Sequence, residues 1–207
     1  MKVLLLNGSP HEHGCTDTAL REVARALEKS GVETEVFWIG NRPQGGCIAC
    51  GACGKTGKCA VDGGVNDFAQ RAQTADGFVF GSPVHYAAAS GNLTGFLDRL
   101  FYSAAPGTFR LKPAAVVVSA RRGGTTAAYE QLLKYPGISE MPIISSRYWN
   151  MVHGAAPDDV LRDEEGLACM RVLGANMAYF LCCREAAAQA GITMPDEEPR
   201  VHTNFIR

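Results

Sequence analysis

The stretch "KVLLLNGSPHEHGCTDTALREVARALEK", residues 2–29, decides the fold class of this chain. Lys2–Leu6 is a short apolar run typical of a buried strand, and Asp17–Lys29 repeats its apolar residues at helical spacing before a glycine. A polar, glycine-containing loop joins the two segments. Because Glu33–Ile39 then predicts a second strand, the chain opens with a β-α-β unit.

The same alternation of strand and helix continues to residue 188. Further strands are predicted at Gly77–Gly81, Pro113–Ser119 and, at one edge, Met141–Ser145, and further helices at Val65–Ala72, Leu93–Tyr102, Thr125–Lys134 and Leu161–Ala188. This order predicts an α/β fold with a parallel sheet between two layers of helices, because right-handed crossovers place helices on both faces. Ligands bind such sheets beyond the carboxyl ends of the strands. The loops after predicted strands one, three and four are therefore the candidate binding loops.

Length and composition limit the choice of function. The 207 residues, 46% of them hydrophobic, predict a single domain over residues 1–207 with a cysteine-rich loop at 45–63 and a tail at 190–207. The net charge of −1 disfavours nucleic acid and membrane surfaces as partners. The first apolar run is too short for a signal peptide, and no stretch approaches the roughly 20 apolar residues of a membrane helix. We therefore expect a cytoplasmic protein, in which structural disulfides are rare.

The loop after the first strand has the features of an anion site. The hydroxyls of Ser9, Thr16 and Thr18 and several backbone N–H groups come together where the first helix begins. The lysine of nucleoside-triphosphate hydrolase loops is missing, and no G-x-G-x-x-G pattern occurs, so a mononucleotide phosphate is the remaining candidate. The alternative is that these hydroxyls only cap the helix and fill a turn.

The other two loops suit different parts of a ligand. Residues 81–91 combine a proline, two aromatic residues and a run of small residues, which favours contact with a planar ring. Residues 119–126 carry Arg121 and Arg122 beside two glycines, which suits a phosphate or a developing negative charge. The alternatives are that the aromatic residues pack at a strand end and that the arginines serve solubility.

Four of the eight cysteines form one motif. They follow the spacing C-x2-C-x2-C-x5-C and are Cys47, Cys50, Cys53 and Cys59. Four thiolates are the ligand set of a [4Fe–4S] cluster, and the absence of histidine from the motif argues against a Rieske centre. Zinc, a redox-active disulfide and a loop of free thiols remain alternatives. Cys169, Cys182 and Cys183, in the last predicted helix, are expected to be small core residues.

Six segments, in order, resemble the NAD(P)H-dependent FMN reductase and iron–sulfur flavoprotein branch of the flavodoxin-like superfamily. They are "NGSPHEHGCTDTAL", "CIACGACGKTGKC", "GSPVHYAAASGNLTGFLDRL", "VVVSARRGGTTA", "MPIISSRYWNMVHG" and "DEEGLACMRVLGANMAYFL". The resemblance covers nearly the whole chain. It implies a flavodoxin-like three-layer sandwich with a five-stranded parallel sheet of order 2-1-3-4-5, an FMN cofactor, NAD(P)H as co-substrate and a [4Fe–4S] cluster on the cysteine motif.

The resemblance also implies roles for individual residues. The flavin phosphate would be held by Ser9, His11, Cys15, Thr16 and Thr18. The isoalloxazine ring would be lined by Pro83, Val84, His85 and Tyr86, and its pyrimidine side would be approached by Ser119, Ala120, Arg121 and Gly124. This chain has Cys15 where many relatives carry asparagine and His85 where many carry tyrosine, so the contact at position 15 could be a backbone N–H alone.

The implied function is an FMN-dependent oxidoreductase that takes hydride from NAD(P)H and passes electrons to a flavin, quinone or protein acceptor. Arg121 or Arg122 would stabilise negative charge near the reduced flavin or bind the 2′-phosphate of NADPH. The resemblance implies a homodimer or homotetramer, and the aromatic segment 148–153 suits either a subunit contact or a cover for the sheet edge. The alternatives are an electron carrier without NAD(P)H activity and a metal- or redox-sensing module built on the cysteine loop.

Overall fold

A computed structural model describes residues 1–61, 63–199, 201, 203 and 205. Its strands are β1 (Lys2–Asn7), β2 (Glu33–Trp38), β3 (Gly77–His85), β4 (Ala88–Ala89), β5 (Ala114–Ala120) and β6 (Met151–His153). Its helices are α1 (Cys15–Lys29), α2 (Ala52–Thr56), α3 (Val65–Thr74), α4 (Gly91–Ser103), α5 (Thr125–Ile138), α6 (Pro157–Val160) and α7 (Glu164–Gln189). Five residues of the predicted tail, 200, 202, 204, 206 and 207, lie outside the described residues.

Five parallel strands form the sheet in the order β2-β1-β3-β5-β6, and the short β4 pairs antiparallel with β3. Alternate residues of each inner strand enter two separate cores. Leu4 and Leu6 pack with residues of α3, α4 and α5, whereas Val3 and Leu5 pack with residues of α1 and α7. Because helices bury both faces, the strands read as continuous apolar runs, and the predicted α/β architecture is confirmed.

The edge strand lies ten residues later than predicted. In the predicted segment Met141–Ser145, only Ile143 forms a bridge to β5, opposite Ala114. The Pro142 carbonyl accepts from Ala114 N at 2.9 Å. Pro142 has no N–H to donate to a sheet, and the segment leaves the sheet after this bridge. The chain returns at β6, where Met151 pairs with Val118. The topology 2-1-3-4-5 therefore holds for the parallel strands, with β6 as the last of them.

Helix α7 departs from two expectations. It is long and apolar enough by length and composition to cross a membrane, although no such stretch was expected. In this fold it packs along α1 so closely that a Cβ on Gly174 would lie 2.6 Å from the Ala26 Cβ. Its outer face carries Cys182 and Cys183, which are exposed rather than core residues, while Cys169 is buried as predicted. A helix that covers a sheet buries one face only, and these two thiols lie on the other.

Candidate functional site

The loops at the carboxyl ends of β1, β3, β5 and β6 meet in one rim. The Oγ1 of Thr16 lies 2.9 Å from the Oγ of Ser119, which joins the first turn of α1 to the end of β5. The Cys15 thiol donates to the Gly154 carbonyl at 3.6 Å, which joins the start of α1 to the loop after β6. The β3–β4 hairpin lies against Gly124 at the start of α5. The three predicted binding loops are therefore neighbours, at the edge where open parallel sheets bind ligands.

Side-chain and backbone hydrogen bonds curve the first loop, residues 7–14, around itself. The Asn7 amide donates to the Glu12 carbonyl at 2.9 Å and accepts from Ser9 N at 3.0 Å. The Ser9 Oγ accepts from His11 N at 3.1 Å, and the Trp38 indole donates to the Ser9 carbonyl at 2.8 Å. Ser9 therefore shapes the loop and keeps its own O–H available as a donor.

The first turn of α1 presents backbone donors. Gly14 occupies the N-cap and has no side chain to accept a hydrogen bond from that turn. The Thr18 hydroxyl donates to the Gly14 carbonyl at 3.2 Å, and the Thr16 hydroxyl is buried beside Ser119. The predicted hydroxyls of Thr16 and Thr18 thus already have partners inside the protein. An anion at this helix end would meet backbone N–H groups first.

The charge around this turn is balanced in a way that admits an anion. The buried Asp17 carboxylate accepts from Arg21 Nε at 2.7 Å and lies 3.4 Å from His13 Nδ1. Burial raises the pKa of the Cys15 thiol, so the thiol is neutral at pH 7. Cys15 therefore adds no negative charge to the turn, and Arg21 balances the charge of Asp17. The positive end of the helix dipole is then available to attract an anion.

The hairpin that follows β3 presents two exposed aromatic side chains, His85 and Tyr86, on a strained turn. Tyr86 and Ala87 have φ of 50° and 58°, the left-handed values of a type I′ turn, which glycine and asparagine normally occupy. Two contacts hold its base: Ser90 N donates to Ser82 Oγ at 2.9 Å, and Ala89 N donates to Gln131 Oε1 at 3.0 Å. Such strain is typical of functional sites.

Gly124 fixes the hairpin against the loop after β5. Its φ of +91° lies in the left-handed region, and it is the N-cap of α5. A Cβ at this position would lie 2.6 Å from the Ala87 Cα and 2.9 Å from the Val84 Cγ1. Arg121 and Arg122, earlier in the same loop, are both exposed at the rim. Of the predicted ring-lining residues, Pro83, Val84 and Ala120 are half-buried.

The buried hydroxyl pair makes a direct prediction about stability. Thr16→Val and Ser119→Ala should each lower the free energy of unfolding by about 1–3 kcal/mol, because each leaves one buried hydroxyl without a partner. The double variant should lose less than the sum of the two. Urea unfolding of all four proteins measures the coupling, and strictly additive losses would show that this bond does not join α1 to β5.

The four motif cysteines line a second site, a small cavity beside α4. Cys47 and Cys50 are exposed, Cys53 and Cys59 are half-buried, and all four are free thiols. Arg99 and Ser103, on the C-terminal half of α4, line the same cavity. Among the residues that the structure describes, no three cysteine, histidine or carboxylate side chains converge on a single ion position.

Contacts outside the motif hold its second half. Asn66 of α3 brackets Cys59, because its Oδ1 accepts from Cys59 N and its Nδ2 donates to the Cys59 carbonyl, both at 2.9 Å. The Cys53 thiol donates to the Tyr102 carbonyl of α4 at 3.8 Å. Gly51 and Gly57, with φ of 70° and 69°, bound the short helix α2 that carries Cys53.

One face of α4 contacts both ends of the cysteine loop, and no local sequence signal indicated these contacts directly. The Asn92 Oδ1 accepts from Gln44 N at 3.1 Å, and a Cβ on Gly95 would lie 2.9 Å from the Gln44 carbonyl. Arg99 donates to the Val61 carbonyl at 3.0 Å and to the Gln44 side chain. The spacing 92, 95, 99 and 103 was the available signal, since it places these residues on one helical face.

Comparisons with known proteins identify the family of this chain. The model of the family described as NADPH-dependent FMN reductase matches residues 1–156, which include the rim loops and the cysteine loop. An iron–sulfur flavoprotein of Methanocaldococcus jannaschii is 30% identical over 185 residues, covering 86% of this chain and 96% of the relative.

Solved structures show the same fold. RosB with bound 8-demethyl-8-formylriboflavin-5′-phosphate superposes with a TM-score of 0.71 at 16% identity, covering 100% of this chain and 92% of RosB. A flavodoxin from the domain Archaea superposes with a TM-score of 0.60 at 15% identity, covering 88% and 99%. The fold is flavodoxin-like, as predicted. The chain therefore belongs to the NADPH-dependent FMN reductase family, in the branch of the iron–sulfur flavoproteins.

Proposed function

We propose that this FMN-dependent oxidoreductase takes hydride from NAD(P)H at the rim and releases electrons one at a time through a [4Fe–4S] cluster. The cluster ligands would be Cys47, Cys50, Cys53 and Cys59. The observation that carries the proposal is the cavity walled by these four thiols on a flavin-reductase fold. The 13-residue helix α4, about 20 Å long, runs from the hairpin end of the rim to this cavity. Hydride entry and electron exit would then use different surfaces.

The rim residues fit a flavin phosphate and ring. The backbone N–H groups at the start of α1 and the Ser9 hydroxyl would bind the phosphate, with His11, Cys15, Thr16 and Thr18 shaping that turn. The hairpin Pro83–Tyr86 and the segment 119–124 would orient the ring from two sides. Bound FMN supplies hydride acceptance and single-electron release, and the protein supplies binding and orientation.

The cysteine cavity fits a polynuclear cluster better than a single ion. A zinc ion needs all four sulfurs about 2.3 Å from one point, whereas a cubane has volume and takes thiolates from around its surface. Ser103 also lines the cavity, and its buried Oγ has no hydrogen-bond partner among the described residues. A [4Fe–4S] cluster in this position supplies one-electron transfer.

Arg121 and Arg122 suit the 2′-phosphate of NADPH. Replacing both with methionine should raise KM for NADPH about tenfold, the loss of roughly one charge-assisted hydrogen bond, and leave KM for NADH within twofold. Initial-rate kinetics with both nucleotides measure the split. Lys29→Met, at the opposite end of α1, is the control for a lost surface cation. Equal effects on NADH and NADPH would remove the arginines from nucleotide selection.

The proposal also covers the electron acceptor, the oligomeric state and the cellular location. We expect a flavin, quinone or protein acceptor and a cytoplasmic homodimer or homotetramer. Tyr148 and Trp149 are half-exposed and stack edge-to-face with ring centroids 4.7 Å apart, which makes them candidates for the subunit contact.

Anaerobic purification followed by iron, sulfide and flavin assays tests the proposal as a whole. The expected result is one FMN with a sulfide-containing iron cluster in each chain, and oxidation of NADPH or NADH in the presence of an acceptor. Flavin without nucleotide oxidation would indicate an electron carrier. Protein that binds no flavin under saturating FMN would contradict the function altogether.

A further inference from the structure

Arg99 and Ser103 stand one helical turn apart on α4, and both line the cavity of the four cysteines. The i, i+4 spacing places both residues on one face of the helix. Neither residue is a candidate ligand, since guanidinium groups and neutral hydroxyls do not hold iron in such clusters. Their shared position raises the question of what they do for a group bound there.

Arg99 brings a fixed positive charge to the cavity. Only 1% of the residue is exposed, and a guanidinium does not lose its proton in proteins. Hydrogen bonds to the Gly95 carbonyl at 3.3 Å and to the Val61 carbonyl at 3.0 Å hold the guanidinium in place. A charge held away from water interacts strongly with any other charge that enters the same space.

Ser103 brings a hydrogen-bond donor. The residue is 7% exposed, and its Oγ has no hydrogen-bond partner within the described part of the chain. A buried hydroxyl without a partner costs free energy that an acceptor in the cavity would restore. Sulfur atoms of a cluster or of its thiolate ligands are acceptors of this kind, and such hydrogen bonds set cluster potentials.

We propose that Arg99 and Ser103 stabilise the reduced, more negative form of the cluster. This inference rests on the cluster of the proposed function. One-electron reduction adds one negative charge to the cluster and breaks no bond. The positive charge of Arg99 and the O–H of Ser103 both favour that added charge, so both raise the reduction potential.

Two arginine variants separate charge from structure. Arg99→Lys and Arg99→Met both lose the fork of hydrogen bonds to Val61 and Gln44, but only lysine keeps a positive charge. Each holoprotein, reconstituted with iron and sulfide, is titrated with dithionite while the reduced cluster is followed by electron paramagnetic resonance. Arg99→Met should disfavour reduction at least tenfold, about 59 mV for one electron, and Arg99→Lys less than threefold.

Ser103→Ala provides an independent measurement in a variant with little risk to folding. It should disfavour reduction about threefold, the equivalent of one modest hydrogen bond, with unchanged iron and sulfide content. If the clusters of Arg99→Met and Arg99→Lys have equal reduction potentials, the charge of Arg99 has no effect and its role is only structural. Reduction equilibrium constants within a factor of 1.5 of the wild type for both Arg99→Met and Ser103→Ala would overturn the inference.

The wild-type titration separates this inference from the proposed function. Wild-type protein that takes up no iron and sulfide contradicts the cluster itself. A wild-type cluster whose potential is insensitive to both positions contradicts only the roles of Arg99 and Ser103. If Arg99→Met fails to assemble a cluster that Arg99→Lys does assemble, the reduction potential of Ser103→Ala decides the inference.

Discussion

Cys53→Ser is expected to yield a flavin-containing protein that holds no iron–sulfur cluster. Cys53 is half-buried in the cavity, and its backbone lies in α2 between two left-handed glycines. Serine keeps the size of the side chain but replaces the thiolate that such clusters require. Iron and sulfide should fall more than tenfold, while FMN content and the rate of flavin reduction by NADPH should stay within twofold. Metal and sulfide assays with anaerobic stopped-flow spectroscopy provide these measurements.

Cys182→Ser is the matched control for this substitution. Cys182 is exposed on α7 and does not line the cavity, so its loss should leave iron, sulfide and flavin unchanged. Iron and sulfide retained by Cys53→Ser at wild-type levels would place the ligands elsewhere. Wild-type protein with one tightly bound zinc and no sulfide would replace the cluster with a structural metal site.

Gly124→Ala is expected to displace the hairpin and weaken FMN binding by about 10–100-fold, a loss of roughly 1.4–2.8 kcal/mol. The new Cβ would lie 2.6 Å from the Ala87 Cα, which is a backbone atom and cannot rotate away. The φ of +91° adds strain that alanine does not relieve. We also expect the free energy of unfolding to fall by about 1–3 kcal/mol. Flavin-fluorescence titration and urea unfolding measure the two effects.

Gly123→Ala provides the control one residue away. A Cβ on Gly123 meets nothing within 4 Å, so this change alters the same loop without touching the hairpin. FMN affinity should stay within twofold of the wild type. If both glycine variants bind FMN equally, the contact between α5 and the hairpin does not shape the flavin site.

The inner strands of the sheet could be predicted because both of their faces are buried. Val3 to Leu6 are all fully buried, and a continuous apolar run carries that information without any tertiary knowledge. The edge strand could not be predicted in the same way. Met141 and Ile144 are buried core residues, which gave their segment the composition of a strand, whereas the actual edge strand β6 has only three residues.

Some parts of both sites could not be predicted from the sequence, because they are formed by tertiary contacts. The Tyr86–Ala87 turn lacks the Asn-Gly signal of a type I′ hairpin, so β4 had no local signature. Arg99 contacts Val61 and Gln44, 38 and 55 residues away, and its role is visible only once α4 meets the cysteine loop. The cysteine spacing, by contrast, is local and indicated the second site directly. Its ligand set remains a prediction.

The bracket that Asn66 forms around Cys59 and the bond from Gln44 to Asn92 hold the cysteine loop at both ends without using a sulfur atom. These contacts attach the loop to the rest of the protein through backbone and amide groups. In the proposed function, iron and sulfide would therefore enter a chain that is already folded. A cluster lost to oxygen would be rebuilt in place, without degradation and resynthesis of the protein.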